Sequence, residues 1–355
     1  MTEINRTKTK LIIQIPCYNE EDTLLQTVAD LPAFLEGIDE IEYLIVNDGS
    51  QDDTVETARL AGVHHIVSFP INKGLARAFM AGIDACLHMG ADIIVNTDAD
   101  NQYNGADIEK LVQPILGKEA DVVIGERPID DTRHFSWKKK KFQRLGSWVV
   151  RLASGTDVPD APSGFRAYSR EAALRLNVIN NYTYTLETII QAGMSKTAIT
   201  SVPIRTNPEA RESRLFKSMW GYVRRSASII VRSFIMYRPL KFLGTIGVVL
   251  FVIGFMISLR FAILLLMGDA GMHIQSLILS SLLMMLGVIV FVCGIIADTV
   301  SVNRKILEDI QYRIKKLETG KNYNNTNSGG PSAKTSSSSI SHPSSTPTGT
   351  TSVPL

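Results

Sequence analysis

The chain has 355 residues, of which 45% are hydrophobic and 20% charged, and its formal net charge is +2. That length holds one substantial folded domain plus further parts, and the composition fits a globular protein carrying some membrane sequence. Three scattered cysteines, Cys17, Cys86 and Cys293, exclude a disulfide framework and a cysteine-based metal site, and fit a reducing compartment.

The first ten residues are polar, and the apolar run after them is too short for a signal-peptide core, so the first domain is expected in the cytoplasm. Short, Ile- and Val-rich runs bounded by turn residues predict buried strands at Leu11–Ile15, Tyr43–Val46, His65–Phe69, Ile93–Asn96 and Val122–Gly125. Amphipathic segments at Thr23–Phe34, Leu75–His88 and Ala106–Leu116 lie between them. The alternation predicts an α/β domain, a parallel sheet covered on both faces, over residues 1–214. Such sheets place ligands beyond the carboxyl ends of their strands. There the sequence reads Pro16-Cys17-Tyr18-Asn19-Glu20, Asn47-Asp48-Gly49-Ser50 and Asp98-Ala99-Asp100.

Residues 215–240 mix aromatic and basic side chains, as interfacial helices on an anionic leaflet do. Two uncharged apolar runs follow. Phe242–Leu259 is long enough for about 27 Å of helix, close to a bilayer core, and Ile274–Ala297 is longer. They predict transmembrane helices over 241–267 and 274–297. Basic residues flank the pair on its outer sides and are missing from the link Gly268–His273, which puts both outer flanks in the cytoplasm. Residues 298–319 continue as a charged amphipathic helix suited to self-association into a homo-oligomer. The Ser/Thr/Pro-rich stretch 320–355 has too little apolar content to fold and is expected to be disordered. Because the basic residues gather beside the spans, nothing points to a nucleic-acid partner.

Asp98-Ala99-Asp100 directly follows a predicted strand, so its two carboxylates point the same way. Hard cations such as Mg²⁺ or Mn²⁺ take oxygen ligands of this kind together with substrate phosphates, and Gln102 can add an amide oxygen. Taken alone, Asp-x-Asp suits a turn or helix cap equally well. Asp48 can accept hydrogen bonds from a base or ribose, with Gly49 admitting a ligand close to the backbone; alternatively, Ser50 caps the next helix with Asp53 closing a capping box. Asn19 is a candidate N-cap, and Asn72-Lys73-Gly74 opens a helix whose N-terminus favours an anion. Arg127, Arg166, Arg211 and Arg214 stand at loop-like positions where guanidinium groups can hold phosphates.

Taken together, Pro16-x-Tyr18-Asn19-Glu20, Asn47-Asp48-Gly49-Ser50-x-Asp52-x-Thr54, Asn72-Lys73-Gly74, Asp98-Ala99-Asp100-x-Gln102, Gly125-x-Arg127 and Ser163-Gly164-Phe165-Arg166 resemble, in order, the motifs of family 2 glycosyltransferases. The resemblance is to the dolichol-phosphate mannosyltransferase-like, or polyprenyl-phosphate glycosyltransferase, branch. It implies a GT-A (Rossmann-like) domain followed by two transmembrane helices, and an inverting transfer of a hexose from a nucleotide-sugar to polyprenyl or dolichyl phosphate. By the same resemblance Pro16, Tyr18, Glu20, Asp48 and Lys73 line the nucleotide pocket, and Asp98, Asp100 and Gln102 hold Mg²⁺ or Mn²⁺ with the diphosphate. Arg127, Ser163 and Arg211 face donor or acceptor phosphates, which makes Asp98, Asp100, Arg127 and Arg211 the catalytic set. Two rival readings are a non-lipid glycan acceptor and a catalytically silent membrane scaffold.

Overall fold

The computed structural model describes residues 8–128, 151, 154–178, 184–207, 239–267 and 274–327. Several expectations lie outside these residues: Arg211 and Arg214, the interfacial helices, the link between the spans and the end of the tail.

Seven strands form one sheet in the order β3-β2-β1-β4-β6-β5-β7. Strand β1 (Lys10–Cys17) pairs in parallel with β2 (Glu40–Asn47) on one side and β4 (Ile93–Asn96) on the other. Strand β3 (His65–Ser68) extends the sheet beyond β2. The other half holds β5 (Val122–Glu126), β6 (Arg166–Ser169) and β7 (Ile199–Pro203). Here the expectation of a parallel sheet needs correction. After the long excursion from β5, the chain returns as β6 between β4 and β5, antiparallel to both.

Helix α1 (Glu21–Ala29) follows β1, α2 (Thr54–Leu60) follows β2, and α3 (Leu75–His88) follows β3. A short 3₁₀ turn leads into α4 (Ile108–Leu116), while α5 (Arg170–Arg175) and α6 (Thr185–Met194) lie between β6 and β7. Both faces of β1 are buried: Leu11, Ile13 and Ile15 join the core shared with α1 and α4, and Ile12 joins the core shared with α3, α5 and α6. Such two-sided burial explains why the strand reads as a continuous apolar run. The connections diverge from between β1 and β4, the switch point where open α/β sheets take their ligands.

Two helices, α7 (Pro239–Leu266) and α8 (Ile274–Asn327), are long and apolar enough to cross a membrane. They pack antiparallel through small residues. A Cβ on Gly247 would lie 2.7 Å from the Gly287 carbonyl oxygen, and one on Gly254 would lie 2.8 Å from that of Ser280. Helix α8 is unbroken to Asn327, so 298–319 is no separate element and the expected tail boundary at 320 falls inside a helix. Its far end returns to the first domain. Lys315 Nζ lies 2.8 Å from Asp84 on α3, and the Arg175 guanidinium sits 4.1 Å over the Tyr312 ring.

Candidate active site

At the switch point, the loop after β1 is stitched to the loop after β2. Asn19 takes a left-handed conformation (φ 55°) that turns the chain toward α1. Its amide donates to Ser50 Oγ (3.0 Å), and its side-chain oxygen accepts from the Gln51 amide (2.9 Å). The Glu20 amide donates to Thr54 Oγ1 (2.9 Å). Neither Asn19 nor Ser50 therefore caps a helix as expected; each binds one loop to the other. The capping box with Asp53 does not form, and Asp53 makes no side-chain cap bond to α2.

Asp48 is almost fully buried, and its two carboxylate oxygens accept from the backbone amides of Lys73 (2.7 Å) and Gly74 (2.8 Å). The anion expected at the start of α3 is thus the protein's own. Gly49 has φ +69°, and a Cβ there would stand 2.5 Å from the Ile71 carbonyl carbon. What approaches Gly49 closely is the chain itself at Ile71–Asn72. The Lys73 ammonium lies 4.3 Å over the Phe69 ring. Pro16 is buried within β1 opposite Val46, whereas Tyr18 is 40% exposed at the mouth of the loop.

Beyond β4, Asp100 Oδ1 accepts from the Gln102 amide (3.2 Å), and the Thr27 hydroxyl donates to the Ala99 carbonyl (2.9 Å). The Asp98 carboxylate turns inward onto the backbone of Gly164. Burial first, then the neighbouring Asp100 and Glu20, push its pKa up to about 7, against the pull of Arg127 and Arg166. Cys17 registers the same negative field: burial, Glu20, Asp52 and Asp98 all hold its thiol protonated. Carboxylates converging where they repel one another provide hard oxygen ligands for a divalent cation. Among the described residues no group of three or more acidic, His or Cys side chains could enclose a metal alone. The donor set therefore suits an open site completed by a ligand's own oxygens.

The basic residues play parts the sequence did not reveal. Arg127 grips the enclosed Asp160 through Nε (2.7 Å) and Nη2 (2.9 Å). Burial works against its charge, but Tyr103, Asp160 and Asp98 outweigh it and hold the pKa above the ordinary arginine value. Arg166, expected in a loop, begins β6 with no exposure. It donates to the carbonyls of Ser163 (2.7 Å), Ala161 (2.8 Å) and Thr185 (2.9 Å) and to Thr188 Oγ1 (2.7 Å). It braces the turn ahead of β6 and cannot reach a ligand. Ser163 is likewise fully enclosed, its hydroxyl without a hydrogen-bond partner among the described residues, and does not face the cleft as expected. Asn96, Tyr103, Gly164 and Tyr184 surround Asp98. Of these, Gly164 lies in the Ser163–Arg166 motif and Asn96 is the polar end of an apolar strand, whereas Tyr103 and Tyr184 carry no signal in the sequence.

The structure brings Asp98, Asp100 and Glu20 together with Arg127 close by, while Asp48 and Lys73 build the adjoining loop. The sheet resembles that of a solved glucosyl-3-phosphoglycerate synthase from Mycobacterium tuberculosis, with a TM-score of 0.51, 22% identity, and coverage of 64% of this chain and 79% of that one. The fold is that of a GT-A-like domain with an acidic cleft at its switch point, and the family match below makes the chain a glycosyltransferase. Residues 12–176 match the model of glycosyl transferase family 2. The UDP-N-acetylglucosamine–dolichyl-phosphate N-acetylglucosaminyltransferase of Methanococcus voltae is 32% identical over 214 residues, 54% of this chain and 83% of that protein. The undecaprenyl-phosphate mannosyltransferase of Micrococcus luteus is 27% identical over 223 residues, 60% and 90% respectively. The chain belongs to glycosyl transferase family 2, with relatives in its polyprenyl-phosphate branch.

Proposed function

We propose that this chain is a membrane-anchored, inverting glycosyltransferase that moves a hexose from a GDP- or UDP-sugar to a polyprenyl or dolichyl phosphate. The observation that carries the reading is the inward-turned Asp98 beside Asp100 and Glu20 at the sheet's switch point. Relatives named for polyprenyl-phosphate acceptors and two helices fit to span a bilayer support the lipid acceptor. Asp98 and Asp100 would hold Mg²⁺ or Mn²⁺, which offsets charge on a leaving diphosphate. The residues' own work is alignment. The stitched loops after β1 and β2 fix the nucleotide end, Asp48 fixes the Lys73–Gly74 turn, and Arg127 adds positive charge beside the acids. An acceptor phosphate is already ionised near neutral pH, so orientation rather than a strong general base supplies the rate.

The catalytic domain and the end of α8 share one side of the membrane in this reading, since α8 docks on α3 and α5 after the span. Basic flanks make that side cytoplasmic. The test offers radiolabelled GDP- and UDP-sugars with polyprenyl phosphate to membranes containing the chain, followed by organic extraction. Label should enter the organic phase, and Asp100→Asn should reduce transfer at least a hundredfold while the protein stays folded in the membrane. Label confined to the aqueous phase as glycan would refute the lipid acceptor, and full activity of Asp100→Asn would refute the cation site.

A further inference from the structure

Strand β4 reads Ile93-Ile94-Val95-Asn96, three apolar residues and then a carboxamide with no exposure. A buried carboxamide persists only where its polar atoms find partners. Asn96 donates through Nδ2 to the Gly164 carbonyl (2.9 Å) and to Tyr184 Oη (2.8 Å), and Oδ1 accepts from Gln14 Nε2 (2.9 Å). Side chains or backbone from β1, from the turn ahead of β6 and from the start of α6 thus meet on one residue. The Gly164 amide donates to Tyr103 Oη (3.1 Å), so side chains hold both polar groups of this glycine. A Cβ on Gly164 would stand 2.9 and 3.0 Å from the two carboxylate oxygens of Asp98, and 3.1 Å from the Tyr184 hydroxyl. The bare Cα is the surface on which the Asp98 carboxylate rests.

We propose that Asn96 and Gly164 are a positioning pair for the cation site. Asn96 ties Gly164 to the end of β4, two residues before Asp98, and the bare Cα leaves the Asp98 carboxylate the place from which it meets the cation. The proposal rests on the reading of Asp98 as a cation ligand. It extends that reading to residues that touch neither cation nor sugar. Tyr184, stacked on Phe79 at 3.8 Å between ring centres, supports the pair from below through its hydroxyl.

The test measures Mn²⁺ binding to the purified full chain with UDP or GDP present, by electron paramagnetic resonance of the free ion, alongside thermal unfolding. Gly164→Ala removes no hydrogen-bonding group and sets a methyl group against the carboxylate and, a little farther off, the Tyr184 hydroxyl; Asn96→Ala cuts the tie. Both should weaken Mn²⁺ binding at least tenfold. Tyr184→Phe keeps its ring stack but loses the acceptor for Asn96, and should weaken binding about threefold, so it decides the matter if Asn96→Ala does not fold. Folded Gly164→Ala and Tyr184→Phe proteins that bind Mn²⁺ as tightly as the parent overturn the proposal while leaving the cation site intact. A parent protein that binds no Mn²⁺ with either nucleotide instead removes the cation reading itself, and the proposal with it.

Discussion

At the start of α4, Asp107 is fully enclosed, yet it accepts from the Arg205 amide (2.6 Å), the Arg205 guanidinium (2.8 Å) and the Lys110 ammonium (2.9 Å). Burial raises its pKa, but the bonds from Arg205 and Lys110 prevail and leave it below the ordinary carboxylate value. A depressed pKa means the folded chain binds this proton less readily than the unfolded one. The resulting stability is present above the unfolded value of about 3.9 and is lost as pH falls through the folded value. Asp107→Asn should cost about 2 kcal/mol at neutral pH and flatten the loss of stability as pH falls below about 4. Denaturant unfolding across that pH range checks both. At this scale the sequence was only partly legible. Asp98 and Asp100 stand out in the sequence because they directly follow a buried strand. For Asp48, Ser163 and Arg166, a polar letter in a motif does not say whether its partner is a ligand or the protein's own backbone. Here Asp48 is held by Lys73 and Gly74, Arg166 by four neutral groups around it, and Ser163 is enclosed beside them.

Elements buried on both faces announced themselves, because β1, β2 and β4 are apolar runs between turn residues. Strands β6 and β7 did not. The first reads Arg-Ala-Tyr-Ser and gains its place from neighbours on both sides; the second, Ile-Thr-Ser-Val-Pro, lies at the sheet edge, where burial is incomplete. Tertiary context outweighs local preference in such short strands. The apolar helices were legible as candidate spans, but not their contact. Gly247 faces the Gly287 carbonyl too closely for any side chain, whereas a Cβ on Gly244 would meet its nearest neighbour at an ordinary 3.6 Å. Close approach of this kind supplies much of the attraction between helices in lipid. Gly247→Leu should therefore separate α7 from α8 and lower the unfolding temperature in detergent by several degrees, while Gly244→Ala leaves it unchanged.

Across the whole molecule, α8 belongs to two regions at once. It packs along α7 and, some turns later, lays Tyr312 against the core beneath α3 and α5, with Lys315 on Asp84 and Lys316 3.7 Å from Glu171. Tyr312 is the α8 side chain packed on that core among the described residues, so Tyr312→Ala should open residues 302–319 to limited proteolysis without altering protection of the apolar helices. From Asp298, the first ionisable residue after the apolar run, to Tyr312 the helix rises about 21 Å along its axis. On the membrane anchoring proposed above, a rod held at both ends would act as a stilt: the cleft would neither sink to the headgroups nor drift away. On that same proposal a substrate buried in the bilayer would climb to a sugar held at constant altitude, an altitude counted in helical residues.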